Sequence, residues 1–439
     1  MVRDRTIIIF MPLDLSREIV ARWNDTDPKY VPLLKEGGVT AVVSPGPNEA
    51  FAKACKESGI QSLAESQIKF TTLEELPKTD PRGLVALQHG QWPGVTRPPN
   101  VRGRGDETAS ASNLPWVDAN GFWIAYLRAM FPNRPPLLGY LPDEKAGVKP
   151  DRMLPFDSLE LALTEAWVSG GNYVLALEPR YREALLKDEP KAKDAWKNLG
   201  RAARWLQRNI ALFRQRVDPT ITNLVEESEM TAEICNLMFR QNASPAVTRF
   251  DAPPPPDPRC LALVAAEIKT PAPALRNRIL AHALAGASVI TSGPPEKAWW
   301  KDSRMKLTKS QEDRDFFAYG KGQVVAYKSE IGDPYEFGLD VIDIVTQRRR
   351  AIRLWNGPSM IALATDAPKS GPASGKALAI AVSYGRGRGE VQMRYQGVYG
   401  SATLLTPEAE PKTLKAVKRG TMTEIFLQDI NHLAVIVFS

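Results

Sequence analysis

The sequence contains few of the side chains that metal and disulfide chemistry require. Only 3 of its 439 residues are cysteine and only 3 are histidine, and neither a CxxC, an HxH nor an HExxH pattern occurs. We therefore expect no metal site, and metal-dependent hydrolysis is disfavoured. The cysteines are far apart in apolar patterns, so we predict buried free thiols at Cys55, Cys235 and Cys260.

Long apolar runs and a large excess of one charge are also missing. No stretch approaches the ~18 apolar residues of a membrane span, and 57 basic residues are mixed with 50 acidic ones for a net charge of +7. The basic clusters at 348–350 and 386–388 contain no interleaved aromatic residues, so we expect solvated turns or helix ends and no nucleic-acid partner. The N-terminal apolar run at 6–10 is shorter than the ~7–15 residues of a signal-peptide core. Either the protein is cytoplasmic, or it is secreted or periplasmic and a leader has been removed.

A chain of this length is too long for one hydrophobic core, and roughly 150 residues per domain suggests about three domains. Over residues 1–217, strand-like and helix-like runs alternate with short turns, which implies a parallel sheet with right-handed crossovers. The predicted helices include one at 15–24. We predict strands at 6–10, 39–43, 61–65, 83–88, 116–120, 137–143 and 172–177. We predict a TIM-like (β/α)8 barrel, and because only seven strands are found, one barrel strand is expected to be missing or irregular.

Two further domains are predicted after this barrel. Residues 218–350 repeat the alternation on a smaller scale, with a hairpin at 316–328, and indicate a doubly wound, flavodoxin-like α/β domain. That region lacks a GxGxxG fingerprint, so we expect no nucleotide and no other cofactor. Residues 351–439 contain short alternating runs between turn residues, which are typical of an antiparallel β-sandwich.

Carboxylates lie at the ends of three predicted barrel strands, at Asp118, Asp143 and Glu178. The active site of such a barrel lies at the carboxyl ends of its strands, so these are candidate catalytic side chains. Each has a structural alternative. Asp118 could cap the helix that starts near Gly121, and Glu178 could bind a neighbouring arginine, Arg180 or Arg182, at the barrel rim.

The segment between the fourth and fifth predicted strands, residues 89–115, is rich in Gly, Pro, Arg and Ser and shows no periodic apolar face. Segments of this length without regular structure are usually functional or disordered. Trp92 could stack on a sugar ring, with Gln91 and His89 binding hydroxyl groups. Alternatively, Trp92 fixes the loop to the barrel mouth and His89 is a structural loop histidine.

The order of the three domains resembles the glycoside hydrolases related to the family 42 β-galactosidases, which have a barrel, a flavodoxin or glutamine-amidotransferase-like middle domain and a C-terminal sandwich. The strand-end carboxylates, the AHALAGASVITSG and FFAYGKGQVVAYK segments and the RLWNGPSMIALAT junction support this resemblance. It implies a nucleophile after the seventh strand, which matches Glu178, and an acid after the fourth, commonly within Asn-Glu. This chain has Gln88-His89-Gly90 there. The resemblance also implies a homotrimer formed through the middle domain; the alternative is that this domain is only a spacer.

The resulting hypothesis is an O-glycoside hydrolase, because glycoside cleavage needs two carboxyl groups at a defined separation. We expect Glu178 to be the nucleophile or base and Asp118 the acid, since Asp118 lies beside Asn120 and Trp116, where its pKa could be tuned. The expected partner is a carbohydrate substrate. Its predicted binding residues are His89, Gln91, Trp92, Asn120, Asp143, Glu65 and Asp14. The alternative is an inactive carbohydrate-binding or scaffold protein with a glycosidase-like fold.

Overall fold

The computed structural model of the chain describes residues 15–46, 48–81, 83–88, 120–139, 155–293, 298–346, 351–357, 360–371, 374–384 and 389–439. The first part of the chain forms one parallel sheet of seven described strands. These are β1 (Val20–Arg22), β2 (Ala41–Ser44), β3 (Gln61–Ala64), β4 (Ile68–Thr71), β5 (Leu84–Leu87), β6 (Leu137–Gly139) and β7 (Asn172–Ala176). Six helices accompany them: α1 (Val31–Glu36), α2 (Glu49–Glu57), α3 (Asn120–Met130), α4 (Ser158–Val168), α5 (Pro179–Leu186) and α6 (Pro190–Arg208).

The strands of this first sheet lie in the order β3-β2-β1-β7-β6-β5-β4. Strands that are neighbours in the sheet are also consecutive in the chain, except for the first and last strands, β1 and β7, which pair in parallel. Strands β3 and β4 form the two edges, and no ladder joins them among the described residues. The fold is therefore a curled α/β half-barrel; closure into the predicted eight-stranded barrel is not seen in the described part of the chain.

The second sheet has the strand order β12-β13-β14-β11-β10-β8-β9. Its strands are β8 (Ile221–Val225), β9 (Ala246–Arg249), β10 (Ala262–Ala265), β11 (Ser288–Thr291), β12 (Lys306–Ser310), β13 (Arg314–Tyr319) and β14 (Gly322–Tyr327). The five strands from β14 to β9 are parallel, whereas β12 and β13 extend the sheet as an antiparallel hairpin. After β9 the chain crosses to the other side of β8 to form β10, so β8 and β10 flank a topological switch point.

Helices cover both faces of this second sheet. They are α7 (Glu229–Arg240), α8 (Pro273–Ala285) and α9 (Pro334–Thr346). Met238 of α7 and Val341 of α9 share one core cluster with Val264 of β10, whereas Ile279 of α8 packs with Leu263 on the opposite face. Alternate residues of β10 thus point into two different cores, as expected for a strand between two helix layers.

The C-terminal region consists of two antiparallel sheets, with orders β15-β18-β22-β21 and β16-β17-β23-β19-β20. The strands are β15 (Ile352–Trp355), β16 (Met360–Asp366), β17 (Ala377–Ser383), β18 (Glu390–Gln396), β19 (Ala402–Leu405), β20 (Lys412–Leu414), β21 (Val417–Arg419), β22 (Met422–Gln428) and β23 (Leu433–Phe438). Inward residues of both sheets form one core cluster, which includes Met393, Ile425 and Ile436. The antiparallel part of the predicted fold is thereby confirmed.

Helix α4 joins the first sheet to the C-terminal sheets. All its residues are buried, and it contacts β7, α6 and β17. Because neighbouring elements enclose it, no face of α4 is left to solvent. Strands β17 and β23 are buried along their whole lengths for the same reason, since one face packs in the sandwich and the other against the first region.

The start of the described chain differs from the prediction. Residues 15–24 were expected to be helical, but only the turn Leu15–Arg17 is (a 3-10 helix), and Val20–Arg22 forms β1. Ile19, Val20 and Ala21 are fully buried, and β1 lies in the middle of the sheet between β2 and β7. Pairing on both sides therefore outweighs the helical spacing. The predicted strand at 6–10 lies outside the described residues, and β4 and β12 were not predicted.

Candidate active site

The carboxyl ends of the first sheet bring together side chains from β1, β3 and β7. Arg22 ends β1, Glu65 directly follows β3, and Glu178 lies two residues after the end of β7. In a parallel α/β sheet, ligands bind at this edge, where the helix N-termini also lie. Glu178 and Glu65 are thus found on the predicted side of the sheet.

Glu178 is the N-cap of helix α5. Pro179 occupies the first helical position, where its missing N–H is not needed. The carboxylate accepts hydrogen bonds from the main-chain N–H groups of Arg180, at 3.1 Å to Oε1, and Tyr181, at 3.1 Å to Oε2. Its side chain is buried. Both oxygens are therefore fixed at the N-terminus of α5, the positive end of its helix dipole.

Glu65 forms a salt bridge with Arg22 across the end of β2. The guanidinium of Arg22 also lies over the ring of Phe70, 5.5 Å from its centroid. Arg22 and Glu65 remain about a third exposed, at 27% and 36%. This pair adds a cation and a partly accessible carboxylate to the same edge as Glu178.

Asp25, which sequence analysis did not select, forms a second pair there. Arg182 of α5 donates from Nε to Asp25 Oδ2 at 2.7 Å, and its Nη2 contacts the other oxygen. Arg182, one of the two predicted partners of Glu178, binds Asp25 instead, and Glu178 binds main-chain N–H groups. The residues Asp25 and Arg182 are 157 positions apart, and the pairing of β1 with β7 brings them together. No local sequence signal could have shown this.

Asn120 lies elsewhere. It is the first residue of α3 and is fully buried. The N–H of the next residue, Gly121, donates to Glu165 Oε1 at 2.8 Å, and Glu165 belongs to the last turn of α4, just before β7 begins. Asn120 thus lies toward the amino end of β7, and a five-residue strand of about 3.3 Å per residue separates it from Glu178. The structure does not bring this predicted site residue to the carboxyl edge.

The other predicted site residues lie outside the described residues. They are Asp14, His89, Gln91, Trp92, Asp118 and Asp143.

Within the described ranges, no group of three His, Cys, Asp or Glu side chains could hold a metal ion, and no helix there is long and apolar enough to cross a membrane. The three cysteines are buried free thiols, as predicted, and burial raises the pKa of each thiol.

Two cavities lie away from the carboxyl edge of the first sheet. One, of about 470 Å³, lies where α3, β9 and β16 meet, and is lined by Ala125, Val247 and Leu363 among others. The second, of about 560 Å³, adjoins the carboxyl ends of β8, β9 and β10. Glu226 lines this second cavity; it directly follows β8 and is 5% exposed. Burial raises the pKa of its carboxyl despite the nearby ammonium of Lys269.

No protein-family model matches this sequence, and the search of curated proteins found no match either. Solved structures do share the fold. α-L-Fucosidase isoenzyme 2 from Paenibacillus thiaminolyticus has a TM-score of 0.58 at 8% identity, covering 96% of this chain and 99% of the fucosidase. The β-galactosidase from Bacillus circulans sp. alkalophilus has a TM-score of 0.55 at 9% identity, covering 89% of this chain and 65% of the galactosidase.

The GH42 β-galactosidase Gan42B has a TM-score of 0.50 at 11% identity, with 89% of this chain and 66% of Gan42B covered. The chain thus spans less than two thirds of the length of these two galactosidases. The structural neighbours are glycoside hydrolases, and at these identities the likeness shows a glycosidase-like fold and nothing more specific.

Proposed function

We propose that this chain is a glycoside hydrolase that cleaves an O-glycosidic bond at the carboxyl edge of its curled parallel sheet. The observation that carries the proposal is the position of Glu178, a buried carboxylate that follows the seventh described strand and is held at the start of α5. The fold shared with an α-L-fucosidase and with β-galactosidases supports it.

In this proposal Glu178 is the nucleophile or the base. Its two main-chain N–H donors hold the carboxylate in one orientation, so little reorganisation is needed when it attacks the anomeric carbon or activates a water. Asp118 is the proposed acid that protonates the leaving oxygen. A separation of the two carboxyl groups of about 5–5.5 Å would give retention, and roughly 6.5–9.5 Å would give inversion.

The proposed substrate is a carbohydrate bound at the same edge. Trp92 is the proposed stacking surface for a pyranose ring, with hydroxyl groups bound by polar residues around it. Those residues are His89, Gln91, Asp143, Glu65 and Asp14. Glu65 already has Arg22 as its partner, and this charged pair can offer both an acceptor and donors to sugar hydroxyls.

A panel of aryl glycosides, including an α-L-fucoside and a β-D-galactoside, tests the proposal. At least one should be hydrolysed, and Glu178→Gln should lower kcat/KM for it by roughly 10²–10⁴-fold, the usual contribution of a positioned carboxyl group. Glu183→Gln is a matched control, because Glu183 lies on the same helix but is exposed and bound to Lys187. Equal activity of wild type and Glu178→Gln would refute the role of Glu178.

A carbohydrate-binding protein without hydrolytic activity is the second candidate. It is favoured by the fact that Glu178, Glu65 and Asp25 all have hydrogen-bonding or ion-pair partners within the described chain. The same panel separates the two functions: binding of glycans without turnover of any glycoside would support the second candidate over the first.

A further inference from the structure

The cavity beside the second sheet lies where a doubly wound sheet usually binds its ligand. Its walls include Glu226 after β8, Asp251 after β9 and Lys269 after β10. Strands β8 and β10 flank the switch point of this sheet, and ligands of open α/β sheets bind in the crevice outside the carboxyl ends at such a point. The volume of about 560 Å³ is within the usual range for small-molecule sites, about 300–1,000 Å³.

Glu226 is held in place, and one of its buried carboxylate oxygens has no hydrogen-bond donor among the described residues. Its main-chain carbonyl accepts from Tyr126 Oη at 3.1 Å and from Thr231 Oγ1 at 3.3 Å. Its side chain is buried, yet Oε2 accepts no hydrogen bond from the described residues. The nearest cation, Lys269 Nζ, lies 3.8 Å from that oxygen. A buried carboxylate oxygen without a donor is costly, so a ligand that donates a hydrogen bond here would be stabilised.

The charges around the cavity favour an uncharged ligand. Three acidic and three basic side chains line it, namely Glu226, Glu227, Asp251, Arg134, Arg249 and Lys269. Arg249 and Asp251 bind each other through two contacts of 2.6 and 2.5 Å, and Arg134 donates to the carbonyl of Thr79. Glu226, Glu227 and Lys269 remain, and of these Glu226 and Lys269 are a loosely paired carboxylate and ammonium, 3.8 Å apart.

We propose that this cavity is a second saccharide site, in which a monosaccharide hydroxyl donates to Glu226 Oε2 and a neighbouring hydroxyl accepts from Lys269 Nζ. Hydroxyl groups suit this pair because each both donates and accepts hydrogen bonds. The choice of a sugar among neutral polyols rests on the proposed function. The site is separate from the carboxyl edge of the first sheet, since it is formed by the second sheet, the end of α3 and residues near Thr79.

Isothermal titration of the full chain with D-galactose, L-fucose and D-glucose tests this site. At least one sugar should bind saturably, and both Glu226→Ala and Lys269→Met should weaken that binding about tenfold or more, as expected from losing a hydrogen bond to a charged group. Glu330→Ala is the control, because Glu330 is an exposed carboxylate of the same region outside the cavity. It should leave binding unchanged.

Lys269 is 73% exposed, so Lys269→Met keeps the test decisive even if Glu226→Ala fails to fold. Absence of saturable binding, or binding that only Glu178→Gln removes, would overturn the second site. The result is distinguishable from a failure of the proposed function: sugar binding that depends on Glu226 in a chain that hydrolyses no glycoside would refute hydrolysis and keep this site.

Discussion

The carboxylates at the carboxyl ends of the first and second sheets differ in their hydrogen-bond partners. At the first sheet, Glu178 binds two main-chain N–H groups, Glu65 binds Arg22 and Asp25 binds Arg182. At the second sheet, Glu226 is as deeply buried as Glu178, but one of its oxygens lacks a hydrogen-bond donor in the described chain.

This difference separates carboxylates that stabilise the fold from one that does not. Glu178 satisfies N–H groups of α5 that have no partner within the helix, so its burial is compensated. Glu226 has Lys269 as its charged partner, with Nζ 3.8 Å from Oε2, yet burial still raises the pKa of its carboxyl. A buried carboxylate follows a strand end at both sheets. Both oxygens of Glu178 accept hydrogen bonds, whereas Oε2 of Glu226 accepts none from the described residues.

The largest expected effect separates the capping role of Glu178 from its proposed chemistry. Glu178→Ala should lower the free energy of unfolding by about 1 kcal/mol, because an N-cap is lost, whereas Glu178→Ser should keep most of that stability. Both variants should lose activity to the same extent, since neither has a carboxylate. Urea unfolding and aryl-glycoside kinetics on the two variants measure the two roles separately.

Serine is informative because its hydroxyl can accept from the same N–H groups as the carboxylate. If Glu178→Ser keeps its activity, Glu178 is a helix cap and not a catalytic residue. If Glu178→Ser is as unstable as Glu178→Ala, the two hydrogen bonds to the start of α5 contribute little, and the contrast with Glu226 disappears.

A smaller effect is expected for the Asp25–Arg182 pair. A double-mutant cycle with Asp25→Ala and Arg182→Ala should give a coupling free energy of up to about 1 kcal/mol, at the upper end for partly exposed pairs, because the geometry is bidentate. The Asp25 side chain is 21% exposed, so added salt should weaken the coupling only in part. The exposed Glu183–Lys187 pair should couple more weakly, and an equal coupling for both pairs would contradict this ranking.

Much of the fold could be predicted because local patterns agree with it. The largely apolar runs that became β7 and β10 are buried on both faces, and α8 starts at Pro273 and is capped by Gly286, where φ is +127°. The hairpin of β13 and β14 turns at Gly320, with φ of +62°. In these elements propensity, turn chemistry and tertiary contacts point the same way.

The site was less predictable because it depends on contacts between distant residues. Residues 15–24 show helical spacing, but β7, about 150 positions later, pairs with β1 and makes it a strand. Asp25 meets Arg182 through the same pairing. Glu226 could have been found, since it directly follows a buried strand, as Glu178 nearly does.

The smallest expected effect concerns the pH dependence at Glu226. Burial raises the pKa of its carboxyl in the folded chain, so the folded state holds the proton more tightly than the unfolded state, whose pKa is about 4.3. Stability contributed by this group is therefore present at low pH and lost as pH rises from about 4 through the folded pKa. Glu226→Gln removes that loss. It should raise the free energy of unfolding at pH 7 by less than roughly 1 kcal/mol, since Lys269 offsets part of the burial cost.

Urea unfolding of wild type and Glu226→Gln at pH 3.5 and pH 7 measures this gain, which should vanish at the lower pH because Glu226 is then protonated and uncharged. Glu330→Gln, at an exposed position, should show no such pH-dependent difference. If Glu226→Gln is instead less stable than wild type at pH 7, the ion pair with Lys269 outweighs the cost of burial. Glu226 would then belong with the compensated carboxylates of the first sheet, and no oxygen there would need a donor from a ligand.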